Sequence, residues 1–187
     1  MPSRMDRREN PAWLLAGKPT GFRTENLQPF QADGNLSALS TGVMLSVALP
    51  LQKGDYVTNL TFVSATTAAG TPTNWWFALY SNASTPALLS QTADQLTTAW
   101  AANTAMTKAL ATPQAITESG IYYAAVMVTA TTPPTLLGHS IGIAAAGGAI
   151  LSSKILAQTS GSSLTTTAPA TITSATTVAN VPLVIAT

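Results

Sequence analysis

Val43, Leu45, Val47, Leu49 and Leu51 are interleaved with Met44, Ser46, Ala48 and Pro50. A hydrophobic period of two places alternate side chains on opposite faces of extended backbone, so this stretch predicts a half-buried β-strand and not a helix. The pattern recurs down the chain. Lys53-Gly54-Asp55 supplies a turn, and residues 56–64 predict a second strand with Tyr56, Leu60 and Phe62 on one face. Residues 68–72 read as a Gly/Pro loop. Residues 74–81 predict a strand with Trp75, Phe77 and Leu79 on one face and Trp76, Ala78 and Tyr80 on the other, so it should be central and covered on both sides. Residues 87–91 predict a short strand, 91–102 a loop or helical turn, and 106–111 a strand that Pro113 breaks. Residues 121–130 give the strongest strand signal, introduced by Glu118-Ser119-Gly120 and closed by Pro133-Pro134. Short strands at this spacing, with no long amphipathic helix, predict an all-β, antiparallel sandwich or barrel.

Composition shapes the exterior. Of 187 residues, 46% are apolar and only 8% charged, against roughly 25% charged in an ordinary globular protein. The surface must then be covered by Thr, Ser, Ala, Asn and Gln, or by partners. A net charge of +1 gives no electrostatic pull towards nucleic acid or acidic lipid. The chain has no cysteine, which excludes disulfides, thiolate zinc sites and thiol catalysis, and a single histidine does not build an imidazole metal site. No secretion signal is read in Met1 to Asn10, and the longest apolar run, 141–151, is too short to span a bilayer. The expectation is a soluble protein with no cofactor, no metal, no nucleic acid and no membrane partner.

Charge and composition divide the chain into an extended N-terminal arm (1–40), a sandwich body (41–157) and a Thr/Ser/Ala-rich tail (158–187). The arm holds nine of the fifteen charged residues, together with Pro2, Pro11, Pro19 and Pro29. It also holds Trp13, Leu14, Leu15, Phe22, Leu27 and Phe30, too many large apolar groups for a solvated leader. It is expected to lie on a neighbouring subunit. The tail has a flexible link at Ser160-Gly161-Ser162-Ser163 and a nearly featureless 165–177. Val178 and residues 181–185 are apolar, so the tail is expected to return to the sheet as a strand.

One motif suggests catalysis. Gly138-His139-Ser140-Ile141-Gly142 matches the G-x-S-x-G nucleophile elbow, whose serine needs a histidine base later in the chain. The only histidine is His139, the serine's own neighbour, so the match is expected to be coincidental. Asp55, Asp94 and Glu118 are expected to serve turns and loops and not glycoside hydrolysis. Three N-glycosylation sequons begin at Asn35, Asn59 and Asn82, as chance allows in so Ser/Thr-rich a chain. Trp75, Trp76, Tyr80, Trp100, Tyr122 and Tyr123 could form a sugar-stacking platform, but are expected in core or subunit contacts.

Residues 55–64 (DYVTNLTFVS), 68–80 (AAGTPTNWWFALY), 89–95 (LSQTADQ) and 120–128 (GIYYAAVMV) occur in an order that resembles small β-sandwich virion proteins of tailed bacteriophages infecting actinobacteria. The likeness covers residues 42–138 and is one of layout. It implies a jelly-roll-like fold and a non-enzymatic structural role, foremost an outer capsid decoration protein on the head of the virion. The alternative is a minor tail or fibre-tip protein binding host-surface glycan. The implied partners are the major capsid protein and copies of the chain itself, as a homotrimer. No active-site residues carry over. The expected partner-binding residues are Arg4, Arg7, Arg8, Trp13, Leu14, Leu15, Phe22 and Phe30.

Overall fold

The structure is a computed structural model that describes residues 22–142 and 154–187. Arg4, Arg7, Arg8, Trp13, Leu14 and Leu15 lie outside the described residues, as does most of the apolar run 141–151. The described chain is all β, an antiparallel sandwich, as the alternation predicts.

Six strands form the largest sheet, in the order β11-β10-β3-β8-β5-β6. They are β3 (Met44–Leu51), β5 (Gly70–Tyr80), β6 (Leu88–Gln91), β8 (Gly120–Thr132), β10 (Ala157–Ser160) and β11 (Thr176–Thr177). The facing sheet has the order β1-β13-β4-β7, formed by β1 (Thr24–Glu25), β4 (Tyr56–Val63), β7 (Ala105–Ala115) and β13 (Val184–Ala186). A small third sheet joins β2 (Gly34–Asn35), β9 (Leu137–Ser140) and β12 (Asn180–Pro182), with β9 in the middle.

The inner core lies between the two larger sheets. Leu45, Val47, Leu49, Trp75, Phe77, Leu79, Val126 and Val128 meet Val57, Leu60, Phe62 and Val184 there. Trp100, carried by the irregular loop before β7, plugs this core, with ring centroids 5.1 Å from Trp75 and 5.6 Å from Phe77. Burying aromatic surface on this scale supplies a large share of the folding free energy.

A second core lies on the opposite face of the six-stranded sheet. Met44, Ala48, Trp76, Ala78, Tyr80, Tyr123, Ala125 and Met127 are buried there beneath Ala168 and Ile172 of the tail. Strand β3 is therefore covered on both faces and not half-buried, because the tail supplies the second cover. Only Pro50 among its residues is exposed, beyond the reach of β10, whose pairing with β3 ends at Val47.

Two further expectations are corrected. The loop expected over 68–72 is already strand from Gly70, which pairs with Thr132; Pro72 is tolerated because the register shifts between Pro72 and Asn74. Pro113 does not break the strand it follows. β7 continues to Ala115, but its pairing with β4 jumps from Asn59↔Ala109 to Val57↔Gln114. In between, β7 turns to β6: Thr92 and Leu110 form a bridge, and the Thr112 N–H donates to Ser90 Oγ. Pro113 sits where no ladder bond to β4 is required. On β4, the Thr58 and Asn59 N–H groups both donate to the Thr187 carbonyl, at 2.7 and 2.8 Å.

The chain from Phe22 onward belongs to the sandwich. β1 pairs with β13, β2 pairs with β9, and Leu36 and Leu39 are buried in the inner core, with Phe22 and Leu27 packed against it. Tertiary contacts thus draw the second half of the expected arm into the body.

Candidate interaction site

Gly138 to Gly142 is not a strand-to-helix elbow. Gly138, His139 and Ser140 are consecutive residues of β9 and pair with Pro182, Val181 and Asn180 of β12. Neighbouring strand residues point to opposite faces, so the His139 ring and the Ser140 hydroxyl diverge. His139 Nδ1 instead lies 3.1 Å from Asp33 Oδ1, and that bond is the main reason the Asp33 carboxyl is held below its ordinary value. The first glycine of the motif has a packing role. A Cβ on Gly138 would lie 2.3 Å from the Val181 carbonyl and 2.7 Å from Leu36 Cδ1, so only glycine lets β12 and Leu36 approach this closely. A Cβ on Gly142 would meet nothing within 4 Å.

The carboxylates of Asp55 and Asp94 serve loops. Asp55 Oδ2 accepts the Gln52 N–H at 2.7 Å and closes the β3–β4 turn. Asp94 accepts the Trp75 and Leu96 N–H groups and the Asn74 side-chain amide, fixing the loop after β6. Among the described residues, no group of three or more His, Asp or Glu side chains could hold a metal ion.

Trp75, Trp76, Tyr80, Trp100, Tyr122 and Tyr123 are all buried, so the sugar-stacking platform is not presented. Each polar tip has a carbonyl partner. Trp75 Nε1 donates to Thr98, Trp76 Nε1 to Thr165, Trp100 Nε1 to Thr104, Tyr80 OH to Pro169, Tyr122 OH to Glu118 and Tyr123 OH to Ile155. Burial pushes the three tyrosine phenols up from their usual value, Tyr80 the furthest.

Of the expected contact residues within the described chain, Phe22 packs against the chain's own inner core, while Phe30 stands 78% exposed on a short 3-10 turn, Pro29–Gln31. The structure adds a feature that sequence reasoning missed. A cleft of about 230 Å³ opens where β10 and the start of β3 meet residues 36–43. Leu36, Leu39, Val43, Leu45, Leu136 and Val178 give it apolar walls, and Ser37, Ser40, Thr159 and Asn180 a polar rim. Its lining comes from several distant stretches of chain, so no local sequence signal could have announced it.

Comparison with models of protein families finds none that matches this chain. Comparison with curated proteins finds no match either.

Proposed function

We propose that the chain is a non-enzymatic structural protein of a tailed-bacteriophage particle, an outer capsid decoration protein that binds and stabilises the head shell through its N-terminal arm. The observation that carries this reading is the burial of Trp75, Trp76, Tyr80, Trp100, Tyr122 and Tyr123: the aromatic residues best suited to stacking on a ligand are engaged in the fold. An exterior so poor in charge suits a protein that works in assembled contact, and the layout of residues 42–138 resembles virion sandwich proteins.

In this reading Arg4, Arg7 and Arg8 pair with acidic groups on the shell, where guanidinium forks form bidentate contacts. Trp13, Leu14 and Leu15 anchor the arm by apolar burial, since a buried Trp often dominates an interface. Phe30 is a further exposed contact, whereas Phe22 is assigned to the core.

The test has two arms. Labelling and copy counting on intact particles should find many copies on the head; a few copies at the tail would favour the minor tail or fibre-tip alternative. Full-length protein with Arg4, Arg7 and Arg8 replaced by alanine should fail to attach to undecorated heads. Attachment at full affinity would remove the arm from the mechanism.

A further inference from the structure

The geometry points to an arm-exchange contact between copies of this chain: Trp13, with Leu14 and Leu15, enters the apolar cleft between residues 36–43 and β10 of a second copy. This rests on reading the arm as an interaction segment, and not on the particle it serves.

Three observations carry it. First, the cleft suits a side chain. At about 230 Å³ it falls below the roughly 300–1,000 Å³ of small-molecule sites. Its apolar walls, including Val43, Leu45 and Val178, end at a rim of uncharged Ser37, Ser40, Thr159 and Asn180. A pocket of this kind takes an apolar anchor, and its rim can bond the backbone beside that anchor.

Second, the chain carries an anchor of that chemistry with no place among the described residues. Twenty-one residues precede Phe22, and their bulkiest apolar cluster is Trp13-Leu14-Leu15.

Third, direction favours a neighbour over the same copy. β1 runs antiparallel to β13, with Thr24 opposite Ala186 and Glu25 opposite Ile185. The chain downstream of β1 travels towards the cleft and lines it at Leu36 to Ser40. The chain upstream leaves from the other end, past Ala186. Asn180, on the cleft rim, is six residues back along the β12–β13 stretch, at most about 20 Å of extended chain. Trp13 lies nine positions before Phe22, a stretch that spans at most about 30 Å when extended. An arm continuing outwards reaches a neighbour; one returning to its own cleft must reverse and retrace most of that length.

An arm-to-cleft contact is heterologous, and such contacts form a closed ring when the rotation allows. A trimer, which the resemblance implies, is one such ring.

The experiment uses full-length protein, without particles, in light scattering and sedimentation equilibrium. Wild type should be an oligomer that dissociates on dilution. Trp13→Ala, outside the described residues, and Ala38→Arg, on the exposed part of the cleft lining, should each weaken association at least tenfold with an unchanged circular dichroism spectrum. Mixed together, the two variants should form a one-to-one pair and stop there, because one keeps its cleft and the other its arm. A wild type monomeric at all concentrations would overturn the proposal, as would an undiminished Trp13→Ala oligomer or a mixture that never pairs. Attachment to heads is a separate readout: its loss with self-association intact would implicate the shell contact alone.

Discussion

Trp75 and Trp76 are adjacent in β5 yet belong to different cores. Trp75 stacks with Phe77 and Trp100 between the two larger sheets, its Nε1 donating to the Thr98 carbonyl. Trp76 faces away, beneath the tail, its Nε1 donating 2.8 Å to the Thr165 carbonyl. Two fully buried side chains thus report on two separate packing layers. Replacing either by alanine should destabilise the fold by about 3–5 kcal/mol in urea titration. Hydrogen exchange should separate them. Trp76→Ala should expose amides of residues 164–172 well before the rest, whereas Trp75→Ala should raise exchange across both sheets. Equal behaviour of the two variants would count against a layered core.

The tail is held by side chains as much as by strand pairing. Gln91 donates from Nε2 to the Thr166 carbonyl at 3.0 Å and accepts the Ala168 N–H at Oε1 at 2.7 Å, and Thr129 Oγ1 donates to the Leu164 carbonyl. Gln91→Ala should cost about 1–3 kcal/mol, because it leaves the buried Ala168 N–H without its partner. The loss should appear first as faster proteolytic nicking between Ser162 and Thr171, with the strands intact. Unchanged nicking would show that Ala168 and Ile172 hold the cover by apolar burial alone.

Gly138 and Gly142 flank the same motif but should respond in opposite ways. Gly138→Ala forces a Cβ against the Val181 carbonyl and Leu36, and should reach or exceed the upper end of the ~1–3 kcal/mol typical of overpacking. Gly142→Ala meets open space and should shift the urea midpoint little. Ser140→Ala, on an exposed strand position, should be neutral for stability and should leave any measured esterase or peptidase activity unchanged. A selective loss of a real activity in Ser140→Ala would revive the nucleophile reading.

Alkaline pH should unfold the chain through its buried tyrosines. Tyr80, Tyr123 and Tyr122 have phenols pushed above the ordinary value of 10.0, in each case first by burial. A raised folded-state value means that the stabilisation is fully present below pH 10 and is lost as pH climbs above it, because the unfolded state then ionises more readily. Phenolate absorbance of these three residues should therefore rise together with loss of the β-sheet circular dichroism signal. Tyr80→Phe should move that transition to higher pH, while removing the bond to the Pro169 carbonyl should lower stability near neutrality. A Tyr80 phenolate formed in the intact sandwich would contradict its burial.

Alternation of apolar residues was enough to announce β3, β5 and β8, because strand period is a local property of the chain. The all-β class and the opposite orientations of Trp75 and Trp76 follow from it directly. Alternation announced β4 too, but the register shift after Val57 puts Val57 in the core and leaves Tyr56, expected beside Leu60 and Phe62, exposed. Composition alone gave the charge-poor exterior and the expectation that Trp13-Leu14-Leu15 needs a surface to bury it. What the sequence could not announce is which distant segments meet. Residues 165–175 have no hydrophobic period, yet they cover a second core, because Trp76 and Tyr80 reach their carbonyls from 89 residues away. Pro113 reads as a strand breaker until the bulge opposite Thr58 removes its duty to donate. The cleft exists only where residues 36–43, Leu136, Thr159 and Val178 converge. Local backbone preference sets where strands form; long-range packing decides which faces are covered and where a gap is left.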